Sequence, residues 1–282
     1  MSNNYWIVDE WLIFKPKFNE ELTYYYGIIN KYKKIIFSNY NNPLIAIETN
    51  NQHEIEHCVN FIKNQFSKEI DLSNNVNLTH LTFGWYFNQK ISLSNNINLT
   101  HLTFGISFNQ EISLSNNINL THLTFGWFFN QKINLLNNIN LTHLTFGFCF
   151  NQEIDLSNNI NLTHLTFGKH FNKKINIPLN ITSLNMLQCN NQYIIDNLHN
   201  NIKELRIIQT NLNLDNLPNS IKKLYIDDYK KELNNLPNSI EYLELNNYKL
   251  KIKKIPKNLK IIKCDEEYKY INDFKDYEVI TY

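Results

Sequence analysis

Leu78-Thr79-His80-Leu81-Thr82-Phe83-Gly84 decides how this chain folds, because the same seven residue types return with their glycines at Gly105, Gly126, Gly147 and Gly168. The interval is 21 residues each time. Self-similarity at a fixed period in this range marks a solenoid, in which each repeat is one turn stacked on its neighbours. It also points to a surface built for binding rather than to a catalytic pocket.

Within one unit, Leu78 to Asn98, the residues Leu78, Leu81 and Phe83 follow the LxxLxL spacing of a leucine-rich repeat. Alternation around Leu81-Thr82-Phe83 predicts an extended segment with Leu81 and Phe83 in the core and His80 and Thr82 outside. Gly84 is expected to end the strand, where either a positive φ or a close backbone approach is needed. Phe87 then re-enters the core, Ile91-Ser92-Leu93 forms a second in-out-in segment, and Ile97 closes the coil. One coil orders more backbone than its apolar burial can offset, so no repeat is expected to fold alone.

Stacking implies ladders. Asn88, Asn109, Asn130, Asn151 and Asn172 share one position and read as a buried ladder that satisfies backbone groups of the adjacent turn. Glu69, Lys90, Glu111, Lys132, Glu153 and Lys174 alternate in sign at another. On strands about 4.8 Å apart they would bring opposite charges side by side. Trp85 and Trp127 share that two-coil spacing, so the unit of duplication is a pair of coils.

Beyond Gly168 the frame decays but persists, with Leu184, Leu205, Leu224, Leu243 and Ile262 at the strand position. Leu217-Pro218-Asn219-Ser220-Ile221 and Leu236-Pro237-Asn238-Ser239-Ile240 form a shorter variant, echoed by Ile255-Pro256-Lys257-Asn258-Leu259. Each proline fixes the chain before a strand, where it costs no ladder hydrogen bond. Toward the N-terminus the frame fits Phe14 with Phe18-Asn19 and Leu22, Phe37 with Asn42-Pro43-Leu44, and Ile62 with Phe66 and Ile70. Short helices are expected near Glu20–Lys31 and His53–Phe61. The predicted fold class is a mainly β repeat solenoid, a leucine-rich-repeat-like right-handed coil of about thirteen turns with a parallel sheet. It fills residues 1–282 as one domain: degenerate coils and cap (1–69), near-identical repeats (70–175), diverged repeats (176–264) and a C-terminal cap (265–282).

A net charge of +1 over 282 residues provides no field toward nucleic acid or anionic lipid, and Arg206 is the single arginine. Cys58, Cys149, Cys189 and Cys264 form no CxxC pairs and read as free thiols in a reducing compartment. With no signal peptide and no long apolar run, the expectation is an intracellular, monomeric protein off the membrane. The Asn-x-Thr sequons at Asn77, Asn98, Asn119, Asn140 and Asn161 then read as by-products of the repeat. Walker, HExxH and GxSxG patterns do not occur, so no enzyme, catalytic residue, cofactor or metal site is expected.

Phe83-Gly84-x-x-Phe87-Asn88-Gln89-x-Ile91 resembles the signature of FNIP repeats, and the Leu-Pro-Asn-Ser-Ile starts at Leu217 and Leu236 are similar to that family's. The resemblance is strong over residues 70–175 and weak before 60. It implies a repeat scaffold from a family expanded in social amoebae and in giant DNA viruses that infect amoebae. Host cytoplasm is the implied location if the source is viral. The sequence departs from the name motif, with Gln or Lys at the Pro position of the central repeats and Pro43 the nearest match. Some members carry an N-terminal F-box, but the first residues here, Trp6 and Trp11 included, fit degenerate repeats better.

Two candidate contact surfaces follow. The residues after each glycine vary most between copies, and Trp85, Tyr86, Trp127, Phe128 and Phe148 put aromatic anchors on one rim of the sheet. The alternative is that these rings fold over the turn and pack on Phe87-type neighbours. The second surface is the row His80, His101, His122, His143 and His164, with Thr82, Thr103, Thr124, Thr145 and Thr166 beside it on the outer strand face. Repulsion within a histidine row should depress its pKa values, which predicts a melting temperature that falls between about pH 6.5 and 5. The function expected is a non-catalytic module that binds a host or cellular protein. The alternatives are a ubiquitin-ligase adaptor lacking a recognisable F-box, a purely structural protein, and adsorption to a surface such as ice through the threonines.

Overall fold

In the computed structural model, which describes residues 4–16, 18, 20, 22–38 and 70–282, the chain forms two units. The first comprises Met1–Gly147 with Ile154–Asn161, and the second Phe148–Glu153 with Leu162–Tyr282. Both are built from β-solenoid turns, about 11 in all. The frame positions at Asn19, Asn42-Pro43-Leu44, Ile62 and Phe66, the helix expected near 53–61, Cys58 and Glu69 lie outside the described residues.

Unit 1 begins with an antiparallel hairpin, β1 (Tyr5–Val8) on β2 (Trp11–Phe14), whose turn places Asp9 at φ 51. From β2 onward the pairing is parallel: β3 (Lys34–Phe37), β4 (His80–Thr82), β5 (His101–Thr103), β6 (His122–Thr124) and β7 (His143–Thr145) follow in order. Here β3 pairs directly with β4, Lys34 opposite His80. The count of about 11 turns falls short of the thirteen that the repeat frame predicts. The helix expected near 20–31 is present as a 3-10 turn, Leu22–Tyr25, running into α1 (Tyr26–Ile29).

Each coil buries what the LxxLxL spacing predicts: Leu99, Leu102, Phe104 and Phe108 are inaccessible, as are their counterparts one period away. The phenylalanines form two columns. Phe83, Phe104, Phe125 and Phe146 stack at 5.3–5.7 Å, and Phe87, Phe108 and Phe129 at 6.0–6.1 Å. Within a coil the two columns meet at 3.9–4.3 Å.

Two expectations are overturned by one local geometry. Ile97 does not close the coil; it is 50 % exposed, and Asn96 beside it is fully buried. Leu93, Asn96 and Leu99 all point inward because consecutive tight turns, Asn96 N–H to Leu93 O and Leu99 N–H to Asn96 O, bring every third residue to the interior. The buried asparagine ladder is therefore Asn75, Asn96, Asn117, Asn138 and Asn159. Asn117 Nδ2 donates to Leu93 O at 3.0 Å and to Asn96 O at 2.9 Å, and the pattern repeats one coil on. The Asn88 row does form a ladder, Asn109 N–H to Asn88 Oδ1 at 2.8 Å and Asn130 N–H to Asn109 Oδ1 at 2.9 Å, but on the surface.

Gly105, Gly126 and Gly147 have no positive φ. They are glycine because a Cβ at each would lie 2.1 Å from the carbonyl oxygen of the glycine one coil before. Close approach, rather than turn conformation, fixes the residue.

Unit 2 continues the frame with parallel strands β8 (His164–Phe167), β9 (Ser183–Leu187), β10 (Glu204–Ile208), β11 (Lys223–Asp227), β12 (Tyr242–Asn246), β13 (Ile261–Cys264) and β14 (Glu278–Thr281). A short helix, α2 (Gln192–Asp196), lies between β9 and β10. The chain leaves β9 to β12 through left-handed residues, Gln188, Gln209, Asp228 and Asn247 at φ 46–57, in place of a glycine. Pro218, Pro237 and Pro256 each accept a turn bond from the residue three on, just before a strand. Tyr229, Tyr248 and Tyr268 stand in the inner column, their hydroxyls donating to Leu212, Lys231 and Leu250 carbonyls. The expected C-terminal cap is itself partly strand, because β14 extends the sheet by pairing with β13.

Candidate functional site

The outer strand face of unit 1 carries a column of imidazoles. His80, His101, His122 and His143 stand directly opposite one another in register, with ring centroids 4.2–4.3 Å apart and planes within 10° of parallel. Each Nδ1 lies 2.9–3.0 Å from the hydroxyl of the preceding threonine, Thr79, Thr100, Thr121 or Thr142. That hydroxyl's single proton goes to a carbonyl of the coil before, as from Thr100 Oγ1 to Thr79 O at 3.1 Å. A carbonyl only accepts, so the hydroxyl must receive its second bond from Nδ1–H. The neutral rings are thus held in one tautomer, protonated at Nδ1, and acid must add its proton at Nε2.

Burial, then Lys34 and His122, hold His80 down to about 4, with Glu10 pulling the other way. Glu10 itself pairs with Lys34 at 3.0 Å, and Trp11 meets the His80 ring edge-on at 5.5 Å. The unfolded imidazole, at 6.5, binds more protons than the folded one, so stability falls as the pH drops from about 6.5 toward 4 and no further below. Once solvent screening at this half-buried ring is discounted, His80 is expected to cost about 1 kcal/mol between pH 7 and 5, a window in which ordinary carboxylates stay ionised. Thermal melts of the native chain and His80→Gln across that window check it. A native melting temperature that does not move would contradict the assignment.

The threonines beside this column, Thr82, Thr103, Thr124 and Thr145, are half-buried on the same face. In unit 2, His164 is exposed, but Thr166 is buried and its Oγ1 accepts a bond from Asn185 Nδ2 at 3.1 Å. Thr166 therefore leaves the outward row, because the side chain opposite it grows from Thr to Asn and closes over it.

On the rim of unit 1, Trp127 is 38 % and Phe128 50 % exposed, while Trp85 and Tyr86 are half-buried. The rim backbone is tied between coils, Ser107 N–H to Trp85 O at 2.8 Å and Phe128 N–H to Ile106 O at 2.9 Å. In unit 2, Phe148 packs against His170 at 4.9 Å with the Lys169 ammonium 5.2 Å over its face. The charge alternation is not realised as ion pairs. Lys90, Glu111 and Lys132 sit in irregular chain rather than on strands, and among the described residues none lies within 4.0 Å of an opposite charge.

The sequon residues have a structural role. Asn98, Asn119, Asn140 and Asn161 donate through Nδ2 to carbonyls of the preceding coil at 2.9–3.0 Å. Together with Thr79, Thr100, Thr121 and Thr142 they line a groove of about 770 Å³ in unit 1.

Sequence reasoning missed a cluster on the outer face of unit 2. In register along β10 to β13 lie Arg206, Tyr225, Glu244 and Lys263. The guanidinium sits 4.5 Å over Tyr225, and Tyr242 and Tyr282 both donate to Glu244 at 2.6 Å. Burial, together with the Glu244 carboxylate, pushes both phenols up. The signal was present: these residues flank Leu205, Leu224, Leu243 and Ile262 as His80 and Thr82 flank Leu81. Among the described residues no three His, Cys, Asp or Glu side chains converge to hold a metal, and no helix is long and apolar enough to cross a membrane.

The turns, inward leucines and in-register parallel strands define a leucine-rich-repeat-like scaffold. More narrowly, residues 209–248 match the FNIP Repeat family. The match falls on the diverged repeats that hold both Leu-Pro-Asn-Ser-Ile starts rather than on residues 70–175. No curated protein matches the chain. Among solved structures it is similar to CroV588, a circular leucine-rich-repeat protein, at 25% identity over 94% of this chain and 51% of that one, TM-score 0.49. It is also similar to the internalin InlF of Listeria monocytogenes at 17% identity over 77% of each chain, TM-score 0.49. The functional domain of InlJ from the same organism aligns at 20% identity over 72% of this chain and 52% of that one, TM-score 0.44. The chain thus spans about half the length of CroV588.

Proposed function

We propose that this chain is a non-catalytic scaffold that binds a protein partner, in host cytoplasm if its source is viral. The contact surface is the outer strand face of unit 1, with the histidine column and Thr82, Thr103, Thr124 and Thr145, together with the rim of Trp85, Tyr86, Trp127 and Phe128. The observation that carries this reading is the exposure of Trp127 and Phe128 on a backbone tied down coil by coil. Large rings held in place lose little entropy on docking, and such rings dominate binding energy at protein interfaces. Phe148, His164 and Thr166 lie in unit 2.

Affinity capture from the natural host cell tests the reading with two baits, the native chain and the Trp85→Ser/Tyr86→Ser/Trp127→Ser/Phe128→Ser variant confirmed folded by its melting curve. A partner held by the native bait is expected to fall at least about tenfold on the variant, in line with loss of two aromatic anchors. Equal recovery on both baits would remove the rim from the contact. Failure of the native bait to retain any partner would favour a purely structural protein.

A further inference from the structure

The residues that the repeat frame places in the core, but that stand outside it, form a line. Val76, Ile97, Ile118, Ile139 and Ile160 are 45–66 % exposed at equivalent positions of consecutive coils in unit 1. Asparagine rows flank the line and are tied to the coil before, Asn116 Nδ2 to Ser94 O at 3.2 Å on one side and Asn119 Nδ2 to Ile97 O at 3.0 Å on the other. No charged residue occurs in the segments 73–79, 94–100, 115–121, 136–142 and 157–161 that build this face. We propose that the isoleucine stripe is the contact face of a homodimer, in which a second copy of this chain lays the same stripe against it in antiparallel fashion.

Three features commit the face to a second copy. Its rungs repeat at the coil spacing, so an identical stripe matches that pitch along its whole length. A twofold axis at Ile118 sets Ile97 against Ile139 and Val76 against Ile160, the self-complementarity that a symmetric dimer requires. Its neutrality matters as much, because any charge on an isologous face risks meeting its own copy, and the five segments that carry the stripe have none. The five side chains with their flanking amides offer on the order of 800 Å² per copy, about what a standard interface takes from each partner. The amides are already held by ladder bonds, so little side-chain freedom remains to be lost. This dimer would replace the monomer expected from composition, and it uses a different face from the aromatic rim.

Sedimentation velocity on the full chain at micromolar concentration tests it. The native chain is expected to sediment as a dimer. Ile97→Asp/Ile139→Asp should weaken dimerisation at least about a hundredfold while leaving the melting curve in place, since both residues are half-exposed. Trp127→Ser/Phe128→Ser should leave the dimer intact. Ile118→Cys should give a disulfide-linked dimer under mild oxidation, and Ile106→Cys should not. A native chain that stays monomeric, or a dimer indifferent to the paired aspartates, would overturn the proposal.

Discussion

Gly126→Ala is expected to destabilise the fold by at least about 3 kcal/mol, and to prevent folding if stability is at the low end for a domain of this kind. The added Cβ would lie 2.1 Å from Gly105 O and 2.5 Å from Gly105 C. The obstacle is backbone, so no side chain can swing aside, and relief requires the coils to move apart along the axis that their ladder bonds hold. Gly27→Ala is the control. Its Cβ would meet nothing within 4 Å and it lies in α1, so the change should be neutral or stabilising by up to about 1 kcal/mol. Chemical denaturation of both variants settles the comparison. A Gly126→Ala chain as stable as the native one would mean that the coils do not approach as closely as described.

The second large effect belongs to the buried asparagines. Asn117→Ala removes two Nδ2 bonds, to Leu93 O and Asn96 O, from a fully buried site. Both carbonyls keep their turn bonds, and the Asn117 Oδ1, which has no partner, goes with the amide. The net loss should therefore be about 2 kcal/mol rather than the full cost of two orphaned acceptors. Replacing Asn96, Asn117 and Asn138 together should cost about 6 kcal/mol, enough to unfold a marginal domain. Asn109→Ala, in the surface row, should cost less than about 1 kcal/mol. Equal effects in the two rows would put the interior ladder in doubt.

This contrast shows where the sequence was legible. LxxLxL spacing and strict period located Leu81, Phe83 and Phe87 in the core and His80 and Thr82 outside, because strand alternation leaves no other reading. It failed at Asn96-Ile97, where hydropathy assigned the isoleucine to the interior and the buried ladder was read at Asn88 instead of Asn96. Tight turns reverse that order: they leave buried carbonyls that only an amide can satisfy, and the side chain after it must face water. The spacing of three between Leu93, Asn96 and Leu99 carried the signal, but near-identical copies hide which positions are constrained.

The candidate site was legible to a similar degree. Histidine stacking followed from the period, whereas the fixed tautomer needed the threonine-to-carbonyl bond one coil back. Rim exposure depended on the next copy's side chain. Trp127 and Phe128 remain open, whereas Phe148 is covered by Lys169 and His170, a pair that belongs to the last near-identical repeat. In unit 2 the strand frame was clear, yet Arg206 and Tyr225 looked like scattered polar residues until register set them side by side.

Covalent footprinting of the native chain, alone and with its captured partner, tests the central claim most directly. Trp127 and Phe128 should label readily in the free chain and lose most of that labelling in the complex, with protection extending to the His101 and His122 strands. Unchanged labelling of Trp127 and Phe128 beside a bound partner would contradict the assignment of this face.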